Sequence, residues 1–382
     1  MSLLTLSGSA AAPRASFSRA LLASLRENSP ILLFVALFAP VPWIVARRHG
    51  IPVLPYPNMP SAYAVFIAYC GIALFCAFAI WYLYNKRIKK VPGFSATAFQ
   101  RVKSEFLTRE RILLALPVLV AWPISAIAFS YLKSVIPVVQ PFYLDATLAH
   151  WDRVLHFGVD PWRLLAPLLN HWPITFLINF CYTLWFFVFQ TTLVLQTAYM
   201  RDRKLRLQFL LTMALAWALI GNLAATYLSS AGPAYYGLVA SGPDPYAPLM
   251  GYLRDVSDNA GISLFGHEFH LPLTALALQS LLWQAHANGD FSLAMGISAA
   301  PSMHIASTWI VARLCFALGR RAAIFGGIFL GIIFIGSIHL GWHYALDGYL
   351  AAAGAWALWR MVGWWLGRPA VARFLWPEPR QA

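Results

Sequence analysis

Eight stretches of this chain are each long and apolar enough to cross a membrane as an α-helix. Spanning the hydrocarbon core of a bilayer takes about 20 mostly apolar residues, and every backbone polar group there must find a partner within the protein. The sequence therefore predicts an all-α polytopic membrane protein with about eight transmembrane helices and further outer helices in the membrane interface. The predicted spans are approximately residues 29–46, 61–84, 112–132, 173–199, 207–229, 302–318, 322–338 and 343–366.

The composition agrees with this prediction. Of the 382 residues, 60% are hydrophobic and only 11% are charged, whereas soluble domains carry about 25% charged residues. The same figures exclude a disordered chain, which would be poor in apolar residues and rich in charge. The cysteines lie far apart inside apolar runs and form no disulfide or metal pattern, so we interpret them as packing residues. They are Cys70, Cys76, Cys181 and Cys315.

The basic residues predict the orientation of the chain. The formal net charge is +14, which in a soluble protein would suggest a nucleic-acid partner. In polytopic membrane proteins, however, Lys and Arg concentrate in cytoplasmic loops. If the N-terminus is cytoplasmic, 22 of the 28 bases fall on the inner side. The sequence therefore predicts a protein of the cytoplasmic membrane with both termini inside and no nucleic-acid partner.

We divide the chain into four parts. A cytoplasmic N-terminal tail covers residues 1–28, N-terminal transmembrane helices 29–132, a catalytic membrane domain 133–366, and a cytoplasmic C-terminal tail 367–382. Within the third part, residues 230–301 form an outer segment rich in Gly, Pro, Tyr and His. Loops of this length are usually functional or disordered, and this one has too many aromatic and apolar residues for disorder. We expect it to cap a site.

A second outer segment, residues 134–172, contains an amphipathic pattern. Leu144, Leu148, Trp151 and Leu155 recur at helical spacing, which predicts a helix lying in the plane of the membrane interface. The polar residues of the segment fall largely on other faces of that helix. They are Asp145, Asp152, Arg153 and His156.

All ten histidines fall on the predicted outer side or at the outer edge of a span. They are His49, His150, His156, His171, His267, His270, His286, His304, His339 and His343. For the first seven we favour surface or packing roles. The last three lie at the mouths of spans beside other polar groups, which makes them candidates for chemistry.

His304 belongs to the segment Pro301-Ser302-Met303-His304 at the start of the sixth span. We expect Pro301 in the first turn of this helix and Ser302 as its cap. The free N–H groups of the turn would form a site for an anion. A histidine there could donate a proton to a bound phosphate oxygen, although a capped helix end with no catalytic role remains the alternative.

His339, His343 and Asp347 are spaced four residues apart. On a single helix they would share one face, so Asp347 would reach the ring of His343. A carboxylate behind a histidine fixes the tautomer and raises the basicity of the other ring nitrogen, which makes the ring a nucleophile or general base. Two other readings stay open: a helix-terminal polar cluster, and a zinc site formed by the same three residues.

Three of these segments together resemble the type-2 phosphatidic acid phosphatase superfamily, in particular its inositol phosphorylceramide synthase-like branch. They are Ser230-Ala-Gly232-Pro233-Ala-Tyr235-Tyr236, Ala300-Pro301-Ser302-Met303-His304, and His339-Leu-Gly-Trp-His343-Tyr-Ala-Leu-Asp347-Gly348. The segment from Asp152-Arg153 to Asp160-Pro161-Trp162 also resembles bacterial members of that branch. The resemblance covers about residues 140–365.

The resemblance implies a role for each matching residue. His343 would attack phosphorus to give a phospho-histidine intermediate, Asp347 would orient it, and His304 would protonate the leaving oxygen and then activate the acceptor. The residues expected to bind substrate are Ser302, Gly232, Pro233, Tyr235, Tyr236, His339, Arg153 and Arg254. The family implies no metal ion and no cofactor. The partners expected are membrane lipids, a phospholipid donor and a lipid or polyol acceptor.

The chain departs from the phosphatase branch in its cations. That branch carries a Lys-x6-Arg-Pro motif before the others and an Arg six residues before the nucleophilic histidine. Here position 337 is Ser, and no such Lys and Arg-Pro motif precedes residue 230. A phosphodiester carries one negative charge and needs less compensation than a phosphomonoester dianion, and Arg153 or Arg254 could supply the missing cation.

These observations favour transfer of a phospho-head group of phosphoinositol or phosphosphingolipid type, on the outer face of the membrane. A lipid phosphatase using the same residues is the first alternative. A zinc-dependent membrane hydrolase and a non-enzymatic transporter are further ones. Transporters place ionisable groups near the bilayer midplane, whereas here Asn222 is the only strongly polar candidate there.

Overall fold

A computed structural model describes residues 16–51, 59–105, 107–198, 202–264, 267–291 and 294–377. Residues 1–15 of the predicted N-terminal tail and 378–382 of the C-terminal tail lie outside the described residues. The same is true of three bases used for the orientation. They are Arg14, Arg201 and Arg380.

Helices make up most of the described chain. The first nine are α1 Phe17–Glu27, α2 Ser29–Phe38, α3 Val41–Arg48, α4 Met59–Leu83, α5 Phe94–Glu105, α6 Arg109–Ser134, α7 Ile136–Val139, α8 Asp145–Leu155 and α9 Pro161–Leu169. The remaining ten are α10 Trp172–Thr197, α11 Arg203–Ala218, α12 Ala225–Tyr227, α13 Tyr236–Val239, α14 Ala247–Asn259, α15 Thr274–Ala287, α16 Met303–Leu318, α17 Arg320–His339, α18 Ala345–Leu366 and α19 Pro369–Leu375.

Short irregular elements complete the fold. Two π-helical turns, Tyr84–Ile88 and Leu219–Ala224, continue α4 and α11, and a 3₁₀ turn covers Pro233–Tyr235. One antiparallel hairpin pairs β1, Gly261–Leu264, with β2, His267–His270. The prediction of an all-α polytopic membrane protein is confirmed, with this hairpin in the outer segment as a small addition.

Helices occupy all eight predicted spans. Within the described residues, six helical stretches are long and apolar enough to cross a membrane. They are Ser29–Arg48, Tyr63–Ile88, Arg109–Ser134, Trp172–Thr197, Arg203–Tyr227 and Arg320–His339. The predicted sixth span, α16, is apolar but has only 16 residues. The predicted eighth, α18, has 22 residues and is more polar, since it contains Asp347 and Arg360.

The two less typical spans nevertheless lie at the centre of the bundle. Ala306 and Ile310 of α16, and Ala351 and Ala355 of α18, are completely buried. Close packing explains this placement, because a Cβ atom at Gly348 would lie 2.5 Å from the ring of Phe334 on α17. Small residues allow helices within a membrane to approach in this way. The site residues near the ends of α16, α17 and α18 are therefore held by a tightly packed core.

The helix predicted from the amphipathic pattern forms as α8, and it buries acidic as well as apolar side chains. Trp151 and Leu155 are about half exposed, whereas Asp145 and Asp152 are almost completely buried. Burying a carboxylate is costly unless it accepts hydrogen bonds, and both carboxylates accept several from the outer loops, as described below. Leu148 is buried beside them, while Trp151 and Leu155 face outward.

At the opposite end of the bundle, one arginine of α11 is bonded to α6, to α10 and to the junction of α1 and α2. Arg206 of α11 is completely buried. Its guanidinium lies 3.4 Å from Glu27 Oε1 and donates to Asn28 Oδ1 at 2.9 Å, to the Thr197 carbonyl at 2.8 Å and to the Leu114 carbonyl at 3.3 Å. Arg203 bonds the same Glu27 carboxylate. This cluster fixes the junction of α1 and α2 against α6, α10 and α11.

Replacing Arg206 by Met should destabilise the protein strongly, since it leaves the buried Glu27 carboxylate and two carbonyl oxygens short of a donor. Removing one partner of a buried ion pair typically costs about 3–5 kcal/mol. We expect a clearly lower melting temperature of the detergent-purified protein. Arg320→Met, at an exposed position of α17, is the matched control, and equal melting temperatures for the two variants would contradict the structural role of Arg206.

Candidate active site

The helix start that carries His304 is capped as expected. Ser302 is the N-cap of α16 and its hydroxyl accepts from the Ile305 N–H at 3.4 Å. The Ser302 N–H donates to the backbone carbonyl of Asp347 at 3.2 Å. Pro301 was expected in the first turn but precedes the cap. The capping contacts join the start of α16 directly to the start of α18.

His339, His343 and Asp347 do not share one helix, in agreement with the break between the predicted spans 322–338 and 343–366, and only the helical face that the three were expected to share is wrong. His339 is the last residue of α17, and α18 begins at Ala345. Gly341 between them has φ of +72°, a conformation that ends a helix. His339 points elsewhere: it is 1% exposed, and its Nε2 lies 2.9 Å from the hydroxyl of Thr175 on α10.

The turn between α17 and α18 brings His343 to His304. His343 Nε2 lies 3.2 Å from His304 Nδ1, and His343 Nδ1 lies 2.8 Å from the carbonyl oxygen of Ala299. A carbonyl oxygen only accepts, so the proton of a neutral His343 ring sits on Nδ1 and leaves a lone pair on Nε2. The His304 Nδ1–H then donates to that lone pair.

Asp347 lies behind His343, as the spacing suggested, but by a different geometry. Its Oδ2 is 3.6 Å from His343 Nδ1 and accepts from the Tyr344 N–H at 3.0 Å. Its Oδ1 is buried with no hydrogen-bond partner among the described residues. Asp347 therefore fixes the backbone next to His343 and lies behind its ring, while the Ala299 carbonyl holds the Nδ1 proton.

Two aromatic side chains of α10 hold the His304 ring. The ring centroids of Tyr182 and Trp185 lie 4.7 Å and 4.3 Å from that of His304. The Trp185 indole N–H donates to the Ser307 hydroxyl at 3.0 Å, one turn along α16. Within the described part of the chain, no hydrogen-bond partner of His304 Nε2 is found. His304 is thus fixed toward His343 through one nitrogen, with the other available.

Burial sets the protonation state of the nucleophile candidate. His343 lies in the connection outside the helices and is 4% exposed. Burial lowers the pKa of its ring below the usual value of 6.5, and the hydrogen bond to Ala299 only partly opposes this effect. The ring is therefore neutral at physiological pH, as a nucleophile requires.

Asp145 holds the loops around the histidine pair, and sequence reasoning did not assign it to the site. It is 3% exposed. Its carboxylate accepts from the Ser230 hydroxyl at 2.8 Å, from the N–H groups of Ala231 and Gly232 at 2.9 and 2.8 Å, and from the Tyr344 hydroxyl at 2.9 Å. Asp145 thus joins the 230–236 segment to the residue that follows His343.

Asp152 makes a second connection of the same kind. Its carboxylate accepts from the N–H groups of Ala345 and Leu346 at 2.9 and 2.8 Å, the first N–H groups of α18. Burial raises the pKa of the Asp152 carboxyl, and these two N–H donors oppose that rise. Asp145 and Asp152 lie seven residues apart, which is about two turns of a helix. From this spacing alone, the sequence could have predicted that both carboxylates share one face of α8.

The predicted substrate segment 230–236 lies against the site. Gly232 has φ of +100°, and a Cβ atom there would lie 2.8 Å from the Trp342 carbonyl oxygen, so only glycine fits. Pro233 and Tyr236 are buried, and the Tyr235 hydroxyl donates to the Gln279 carbonyl at 3.0 Å. These side chains pack the loop beside His343.

The two predicted cations are not among the residues brought to the histidine pair. Arg153 pairs with Asp160 at 2.9 Å, and Arg254 lies on the exposed side of α14. In the described residues, no group of three His, Cys, Asp or Glu side chains is arranged to hold a metal ion. The structure therefore joins His343, His304 and Asp347, with Ser302 and Gly232 next to them.

Replacing Asp145 by Asn should loosen these loops, because the new amide NH₂ faces donors where an acceptor stood. Leaving a buried donor unpaired costs about 1–3 kcal/mol. We expect a lower melting temperature for Asp145→Asn and no change for Asp258→Asn, which removes an exposed carboxylate from α14. If the two variants melt alike, Asp145 does not hold the site.

Comparison with known proteins agrees with this geometry. The family model of the PAP2 superfamily matches residues 146–364, more than half of the chain. No curated protein and no solved structure matches. The match covers the three site segments and all of α8 except its first residue. It does not identify a branch of the superfamily. Members of this superfamily are phosphatases and phosphotransferases. The chain belongs to the PAP2 superfamily.

Proposed function

We propose that this protein is an integral membrane lipid phosphotransferase that moves a phospho-head group through a phospho-histidine intermediate on His343. The observation that carries the proposal is the buried histidine pair. His343 Nδ1 is held by the Ala299 carbonyl, and Nε2 faces His304 at 3.2 Å. This arrangement presents one neutral nitrogen lone pair and one proton donor to the same bound group.

In the first half-reaction, the phosphorus of the lipid donor lies in front of His343 Nε2. The bound donor takes the place of the hydrogen bond between His304 and His343. The Nε2 lone pair forms the nitrogen–phosphorus bond, and the bond from phosphorus to the leaving oxygen breaks. His304 enters this step as an imidazolium, protonated on both ring nitrogens beside the anionic phosphate, and passes one proton to that oxygen, which leaves a neutral imidazole. The positive charge on the His343 ring is stabilised by the nearby Asp347 carboxylate, 3.6 Å from Nδ1.

In the second half-reaction, His304 has lost its proton and acts as a base. It takes the proton of an acceptor hydroxyl, whose oxygen attacks phosphorus while the bond to His343 Nε2 breaks. The ring of His343 becomes neutral again, and His304 regains its proton, so the cycle closes. The rings of Tyr182 and Trp185 keep His304 in position for both steps.

Two features support transfer over hydrolysis. His343 is 4% exposed, and exclusion of water protects a reactive intermediate. Position 337, where the phosphatase branch has an arginine, is a 2% exposed serine whose hydroxyl donates to the Phe334 carbonyl at 2.7 Å. A site with fewer cations suits a phosphodiester with one negative charge.

A lipid phosphatase is the second candidate. His304 is only partly buried, and its Nε2 has no hydrogen-bond partner within the described residues. Water reaching that nitrogen could be activated in place of an alcohol, and the intermediate would then be hydrolysed. The transporter alternative has weaker support, because the Asn222 side chain donates to the Phe129 carbonyl at 3.1 Å and is 6% exposed.

We further propose that the site faces outward from the cytoplasmic membrane and acts on membrane lipids. The starts of α16 and α18 and the end of α17 meet at one end of the bundle, and the Glu27–Arg206 cluster lies at the other. The positive-inside distribution of Lys and Arg assigns the second end to the cytoplasm. Exposed aromatic residues such as Trp151 and Tyr143 suit the interface near the site.

The products of the reaction test the proposal. Purified protein is supplied with head-group-labelled phospholipid, with and without inositol or ceramide, and the products are separated. We expect a new labelled phosphodiester when an acceptor is present. A free labelled phospho-head group, or free labelled phosphate, as the main product in both cases would show a hydrolase instead.

Replacing His343 by Ala should abolish turnover, a loss of at least about 1,000-fold, since it removes the nitrogen that attacks phosphorus. His150→Ala, which removes an exposed histidine of α8, is the matched control and should keep full activity. Both proteins should insert into membranes equally. Full activity of His343→Ala would refute the mechanism.

The pH dependence follows from the lowered pKa of His343. Because burial favours the neutral ring, protonation that inactivates the nucleophile occurs only at a pH below the usual histidine value of 6.5. We expect the acid limb of kcat/KM, measured with a phosphodiester donor that does not itself titrate, to have its midpoint below pH 6.5. A midpoint at or above that value would contradict a neutral buried His343.

A further inference from the structure

A lysine outside the family-matched region lies close to the histidine pair. Lys133 is on the last turn of α6, thirteen residues before the matched region begins at residue 146. It is partly buried. Its backbone contacts the segment that carries the Ala299 carbonyl, and its positive charge adds to the effect of burial in lowering the pKa of the His343 ring.

Backbone contacts explain how the end of α6 reaches the site. A Cβ atom at Gly296 would lie 2.6 Å from the Lys133 carbonyl carbon, so the chain there runs directly over the end of α6. The Ala294 N–H donates to the Ser130 hydroxyl at 2.6 Å. Three residues after Gly296, the Ala299 carbonyl accepts from His343. One short segment thus connects the Lys133 backbone to the nucleophile.

The other outer cations near the family domain are already used or lie elsewhere. Arg153 and Arg163 both bind the carboxylate of Asp160, and Arg254 lies on the exposed face of α14. Within the part of the chain that the structure describes, no hydrogen bond or ion pair engages the ammonium of Lys133. An ammonium without a partner, on a helix end that contacts the segment bonded to His343, can bind an anion.

We propose that Lys133 binds the phosphate of the lipid donor and supplies the positive charge that this chain lacks at position 337. This inference rests on the proposed function and narrows its substrate class. One ammonium matches the single negative charge of a phosphodiester, and its contact with a non-bridging oxygen would strengthen as charge develops in the transition state. A transmembrane helix outside the matched region would then complete the site.

Binding measurements test this role apart from turnover. Two inactive proteins are compared, one with His343→Ala alone and one that also carries Lys133→Met. The binding affinity of each is measured for dihexanoyl phosphatidylinositol, which is a phosphodiester, and for dihexanoylglycerol, which is neutral. We expect affinity for the phosphodiester to fall about 10- to 100-fold, the effect of losing one charge-assisted hydrogen bond. Affinity for the neutral lipid should not change, and Lys133→Arg should restore most of the phosphodiester affinity.

The controls separate the possible failures. Arg48→Met removes an exposed positive charge of α3 and should leave phosphodiester affinity unchanged. Equal affinity of Lys133 and Lys133→Met proteins would overturn the role of Lys133, and so would an equal loss for both lipids, which indicates a structural defect. If the wild-type protein turns over no phospholipid at all, the proposed function fails first, whatever the binding data show.

Discussion

The hydrogen bond from His343 Nδ1 to the Ala299 carbonyl oxygen determines the chemistry of the site. At 2.8 Å, it keeps the ring proton on Nδ1 and leaves Nε2 as the only nitrogen able to attack. The ring is buried, so its neutral form is favoured. Every other feature of the site, from the position of His304 to the approach of the end of α6, depends on the segment that carries this carbonyl.

Buried carboxylates keep that geometry in place. Asp145, Asp152 and Asp347 are each at most 3% exposed, and such burial is tolerated because backbone N–H groups and hydroxyls donate to them. Together they join α8, the 230–236 segment and the start of α18. Helix α8 is therefore part of the scaffold of the candidate site, and this explains why its acidic side chains are turned inward.

Sequence reasoning reached the spans and the His304, His343 and Asp347 set because both signals are local. Twenty apolar residues indicate a span wherever they occur, and short motifs retain their spacing. It failed where contacts join distant parts of the chain. The chain breaks at Gly341, with φ of +72°, and His339 contacts Thr175 and not His343. Asp145 meets Tyr344 across almost 200 residues, and no local pattern in the sequence places Lys133 near His343.

The account depends on His343 Nε2 as the atom that carries the phosphoryl group. Purified protein mixed with labelled phospholipid in the absence of acceptor, quenched in base and digested, tests this by mass spectrometry of the peptide containing residue 343. We predict an acid-labile phospho-head group on Nε2 of His343, lost when inositol or ceramide is added before the quench. Phosphate on His304 or on another residue, with His343 unmodified during turnover, would contradict the account.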